Sequence, residues 1–152
     1  MLSWSATQTS VREATGHNDG AEVAAFLKVV GLPTGYEWCG AYQAYGNKHC
    51  GAPFPTAAGR AANWTPAASP RTYYIRGVRG SVDSLKPGHQ VTLYYSNLGR
   101  IGHVGRLVSR TRRGWYTNEG NTGRGGGRTG AGVHVLLRAN WEFYAAANWL
   151  TR

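Results

Sequence analysis

Cys39 stands behind a turn, Pro33-Thr34-Gly35, and in front of a predicted helix running from Gly40 to Lys48. A cysteine at a helix N-terminus sits at the positive end of the helix dipole, beside N–H groups with no helical partner. That setting favours thiolate, the nucleophilic form of the side chain. Such a sulfur needs a base within hydrogen-bond reach, and the base needs a third group to hold its tautomer. The chemistry on offer is acyl transfer through a thioester.

Five histidines could supply the base. Residues 101–109 and 114–119 alternate as strands on either side of the basic turn Arg110–Arg113, which predicts an antiparallel hairpin. With the turn centred near Thr111 and Arg112, paired residue numbers sum to about 222–224, which sets His103 opposite residues 119–121. Side chains alternate along a strand, so Thr117, Glu119 and Asn121 are expected on one face. His103 then has a carboxylate and an amide as cross-strand neighbours. His134 and His17 have no such setting, and His49 lies about three turns along the Cys39 helix. Glu119 is the only carboxylate between Ser84 and Trp141, a stretch that also holds Arg100, Arg106, Arg110, Arg112, Arg113, Arg124, Arg128 and Arg138.

The elements around these residues follow from pattern. A short first helix is expected within residues 5–14. Asp19 and Glu22 read as a capping box for a helix whose Val23, Phe26, Leu27 and Val30 form one apolar face, closed by Gly31 and Pro33. Residues 51–72, rich in Pro, Ala and Gly, read as an irregular connection that carries Trp64 and forms a groove wall. Strands are expected at 72–76, 89–95 and 133–138, and residues 141–149 fit either a strand or a helical turn. The Gly-Arg loop 123–132 formally contains G-x-G-x-x-G, but it leads into a strand and not a helix, so it reads as a hairpin loop. The second half is therefore mostly antiparallel strand. The fold class expected is α+β, one domain over residues 1–152 with residues 1–9 as a lead-in.

The two cysteines, Cys39 and Cys50, would lie roughly 16 Å apart along one helix. A disulfide needs Cα atoms within about 7 Å. Two free thiols are expected, Cys39 reactive and Cys50 buried. Cys39, His49, Cys50 and His103 match no usual zinc spacing, so neither a metal nor another cofactor is expected.

Three motifs taken together, Trp38-Cys39-Gly40-Ala41-Tyr42, Gly102-His103-Val104-Gly105 and Glu119-Gly120-Asn121-Thr122, resemble the signatures of CHAP domains, the cysteine- and histidine-dependent amidohydrolases/peptidases. The lead-in Arg12-Glu13-Ala14-Thr15-Gly16, with Asn18-Asp19-Gly20, is similar too, and the likeness runs from about residue 10 to the end. One departure is His89 after Pro87-Gly88, where such sequences usually carry an acidic residue. The resemblance implies a papain-like fold and hydrolysis of an amide bond in bacterial peptidoglycan. It makes Cys39 the nucleophile, His103 the base and Glu119 the group orienting it, with Asn121 supporting the site or taking over that role. Trp38, Tyr36, Trp64 and Gly102 are the expected substrate contacts.

Seventeen Lys and Arg against seven Asp and Glu give a net charge of +10, which calls for an acidic partner. An anionic wall polymer fits. A basic nucleic-acid or wall binder without catalysis is the alternative, but basicity alone explains neither Cys39 nor Glu119. The first residues lack a charged and then apolar leader pattern, and no apolar run approaches the roughly 20 residues of a membrane span. A monomer delivered to the wall by phage lysis or by secretion machinery is expected, with an immunity protein as a further partner.

Overall fold

The computed structural model describes residues 1–151 and has an α+β fold. Six strands form one antiparallel sheet in the order β1-β6-β2-β3-β4-β5. They are β1 (Thr72–Ile75), β2 (Gln90–Tyr95), β3 (Arg100–Thr111), β4 (Gly114–Thr122), β5 (Gly132–Arg138) and β6 (Phe143–Ala147). Three helices precede the sheet in sequence: α1 (Leu2–Thr7), α2 (Ala21–Val29) and α3 (Cys39–His49). No helix is long and apolar enough to cross a membrane among the described residues.

The ambiguous stretch 141–149 resolves as a short 3-10 turn, Asn140–Glu142, followed by β6. Its run Ala145-Ala146-Ala147 is fully buried in a strand paired with β1 on one side and β2 on the other. The capping box expected at α2 does not form. Gly20 occupies the cap position, and the Asp19 carboxylate instead accepts hydrogen bonds from the Thr15 backbone N–H (2.9 Å) and hydroxyl (2.6 Å). Asp19 therefore closes the loop before the helix.

Helix α2 buries Val23, Phe26 and Leu27 against Trp38, Tyr42 and Val133. Helix α3 docks on the sheet mainly through polar contacts. The Tyr42 hydroxyl donates to Asn118 Oδ1 at 2.6 Å, and Gln43 Nε2 donates to the Asn118 carbonyl at 3.1 Å. Arg106 of β3, only 1% exposed, donates to Asn47 Oδ1 (2.6 Å), the Gln43 carbonyl (3.4 Å) and the Gly88 carbonyl (3.1 Å). Satisfied buried polar groups fix direction where apolar contact would allow sliding.

Two glycines let α3 sit this close. A Cβ on Gly120 would lie 2.8 Å from Trp38 and Tyr42 atoms. A Cβ on Gly40 would collide with the Ala58 carbonyl and lie 2.9 Å from that of Gly59. Those obstacles are backbone and cannot rotate away. Gly40→Ala is expected to cost about 1–3 kcal/mol and to displace the first turn of α3. Urea unfolding followed by circular dichroism measures the loss, and retention of wild-type stability would contradict the close packing.

Candidate active site

Cys39 is the first residue of α3, and Trp38 at the cap position offers no side-chain acceptor to the first-turn N–H groups. The turn that presents it is tied from both sides. Trp38 Nε1 donates to Glu13 Oε1 at 2.8 Å, and the Asn18 N–H donates to Glu13 Oε2 at 3.0 Å. The Gly35 N–H closes on the Asn18 carbonyl at 2.9 Å. The Arg12–Gly20 segment thus holds the turn that presents Cys39.

His103 comes from β3 and is fully buried. The strands pair Arg106 with Asn118 and Leu107 with Thr117, within the expected register. Between β2 and β3 the pairing slips, from Leu93 opposite His103 to Tyr94 opposite Ile101. Gly102 is the extra residue, so a bulge sits directly beside His103. Bulges bend a strand and re-aim its side chains. Gly102 also leaves room for its neighbours, since a Cβ there would lie 2.8 Å from Arg128 Cδ and 3.0 Å from Tyr95 Cδ2.

His103 Nε2 and Glu119 Oε2 share a hydrogen bond of 2.8 Å, both side chains being fully buried. Nδ1 is buried with no protein partner at ordinary hydrogen-bond geometry, while the Cys39 sulfur is near enough to perturb the ring. Burial alone would lower the imidazole pKa. The contacts with Cys39 and Glu119 outweigh it and push it up to about 10. One ring nitrogen is thus spent on Glu119 and the other is left for the sulfur.

Glu119 is held in turn. Arg138 forks onto it, Nε to Oε1 at 2.9 Å and Nη2 to Oε2 at 2.7 Å. The Thr117 hydroxyl donates to Oε1 at 2.5 Å. Burial pushes the Glu119 carboxyl up, but Arg138 and His103 overcome it and hold the group well below the usual carboxylate range. Arg138 is anchored further by Glu142 Oε1 (3.0 Å) and the Gly126 carbonyl (3.0 Å). The sequence reading missed Arg138 as a site residue. Its one signal was parity: β4 and β5 pair Trp115 with Arg138 and Thr117 with Leu136, so Arg138 shares the Glu119 alternation and is long enough to reach along it.

Asn121 does not share the orienting role. A register shift between Glu119 and Thr122 puts Asn121 at φ 57°, turning it away from His103. With its amide placed so that oxygen meets a donor and nitrogen meets acceptors, Oδ1 accepts from the Trp38 N–H (3.2 Å). Nδ2 donates to the Gly130 carbonyl (3.0 Å) and Asn18 Oδ1 (3.3 Å). Asn121 therefore fixes the peptide next to Cys39.

The sulfur opens on a cavity of about 810 Å³ lined by Tyr36, Glu37, Arg60, Asn63, Arg100 and Gly102, among others. Tyr36 and Gly102 are thus where a ligand would meet them. Trp38 and Trp64 are not: both are fully buried beneath the cleft. Trp64 Nε1 supports the connecting segment through the Ala58 carbonyl at 2.9 Å. The two cysteines are free, as expected, but Cys50 is not the buried one. Cys39 is only 4% exposed, and Cys50 at the end of α3 faces solvent. Among the described residues no three His, Cys, Asp or Glu side chains converge as a metal cage. No protein-family model, curated protein or solved structure matches this chain.

Proposed function

We propose that the protein is a papain-like cysteine amidohydrolase of the CHAP type that cleaves an amide bond in bacterial peptidoglycan. The observation that carries this reading is the ordered relay Cys39, His103, Glu119, Arg138. A buried imidazole has one nitrogen fixed on a clamped carboxylate and the other free beside a helix-terminal sulfur.

Cys39 gives its thiol proton to His103 Nδ1 and Sγ attacks the amide carbonyl carbon, and the oxyanion is met by first-turn N–H groups of α3, including that of Cys39. His103 Nδ1 delivers a proton to the leaving amine, the C–N bond breaks and a thioester remains. A water then gives a proton to Nδ1 and adds to the thioester. Collapse releases the acid and restores the sulfur. Glu119 keeps the proton of Nε2 in place throughout, which leaves Nδ1 as the working nitrogen. The +10 charge suits an anionic wall as substrate.

Release of soluble fragments from dye-labelled, purified sacculi tests the proposal. Wild-type protein is expected to release dye, while Cys39→Ala, a volume-reducing change at a site already open to the cavity, is expected to release none and keep its fold. Equal release by the two proteins would refute the nucleophile.

A further inference from the structure

The Cys39 cavity carries three charged side chains in its lining: Glu37, Arg60 and Arg100. Glu37 is already paired, with Arg128 Nη1 donating to its Oε1 at 2.5 Å. No side-chain carboxylate is paired with either arginine among the described residues. Of the seven acidic residues, Glu119 and Glu142 hold Arg138, Asp83 holds Arg110, Asp19 holds Thr15 and Glu13 holds Trp38 and Asn18. Glu22, the last, lies beside a separate hollow near Trp4 and His49.

The donors of both arginines are largely unspent. Arg100 makes one long bond, Nη1 to the neighbouring Ile101 carbonyl at 3.4 Å, and the Arg60 side chain makes none among the described residues. The backbone under Arg60 is fixed. Ala57 is held at φ 52° while its carbonyl accepts from Asn63 Nδ2 (3.0 Å) and from the Arg60 N–H (3.1 Å). A non-glycine residue keeps such a conformation only where its surroundings determine it, and such positions cluster at ligand clamps. Arg100 opens β3 and is paired with Tyr95 across the sheet. Val30, Leu32 and Ile101 supply apolar wall between the charges.

A guanidinium fork matches a carboxylate with two parallel hydrogen bonds, and a carboxamide cannot reproduce the match because it offers one acceptor and no charge. We infer that Arg60 and Arg100 select an acidic peptide, one with a free side-chain carboxylate beside the scissile amide, and discriminate against its carboxamide form. The inference rests on the amidohydrolase reading for the meaning of "scissile", and its test does not depend on turnover.

Full-length Cys39→Ala protein is titrated by calorimetry with a peptidoglycan stem tetrapeptide carrying free side-chain carboxylates, and with the same peptide as carboxamides. The acid is expected to bind about tenfold more tightly at low salt, with the margin narrowing as salt rises. Arg60→Gln and Arg100→Gln, both exposed and so free of folding consequences, should each erode that margin, and the double variant should abolish it. Equal affinity for the two peptides, binding of neither, or an unchanged margin in the double variant would overturn the inference. Failure of the wild-type protein to act on sacculi would instead strike the catalytic reading and leave this binding result standing.

Discussion

Glu119→Gln is expected to lower kcat/KM by roughly 10²–10⁴-fold, because an amide at this position no longer enforces the tautomer that leaves Nδ1 free for the sulfur. It also strands part of the Arg138 charge inside the protein, at a cost of about 3 kcal/mol, with Glu142 keeping the loss from being larger. The pH dependence gives the variant a signature. His103 is raised from its ordinary 6.5 to about 10, so the stability it contributes is fully present below pH 6.5 and disappears as pH rises through about 10. Glu119 is depressed from 4.5, so its contribution is present above pH 4.5 and disappears as pH falls through its lower folded value. The stability gap between wild type and Glu119→Gln should therefore be widest between pH 4.5 and 6.5 and narrow toward pH 10. The alkaline limb of kcat/KM, near pH 10 in the wild type, should move toward neutrality in the variant, since Glu119 is one of the two groups raising His103. A limb that stays in place would mean that Glu119 does not act through His103.

Arg106→Ala is the second large effect. Burial lowers the Arg106 pKa to about 10, which still leaves it charged at neutral pH. No salt bridge reaches it among the described residues, and neutral oxygens from α3 and from Gly88 accept its hydrogen bonds. Truncation removes the donor from the Gly88 carbonyl, weakens the hold on Asn47 and Gln43 and opens a cavity between α3 and the sheet, a loss of about 3–5 kcal/mol. Arg106→Met keeps the apolar stem and should lose less. Urea unfolding of the three proteins gives the order, and equal losses would show that the charge and not the packing is what matters. Because α3 carries Cys39 on its first turn, activity should fall with its docking.

Cys39, His103 and Glu119 were legible in the sequence because they obey short rules. Cys39 follows a turn and opens a helix, and a hairpin fixes His103 against Glu119 once its turn is located. What the sequence hid depends on departures from those rules. Period-two alternation put Asn121 beside Glu119, and a one-residue shift at φ 57° sent it to the Trp38 peptide. The resemblance put Trp38 in the cleft and the Pro/Ala/Gly-rich segment 51–72 put Trp64 in its wall, yet the Trp38 indole N–H is satisfied by Glu13 and that of Trp64 by Ala58, which lets both rings be buried completely. Arg138 looked like one arginine in a basic run, and only the β4–β5 pairing separates it from the others. The strand at 143–147 was masked by its alanines, which carry little strand preference, and it is pairing with β1 and β2 that makes it a strand.

The proposal is tested most directly by mass spectrometry of purified peptidoglycan after incubation with wild-type protein and with Cys39→Ala. Wild type should yield new fragments in pairs whose masses sum to a parent plus one water, all from one type of amide bond, and Cys39→Ala should yield none. Fragments formed equally by both proteins, or a mass balance without added water, would contradict thiol-dependent amide hydrolysis.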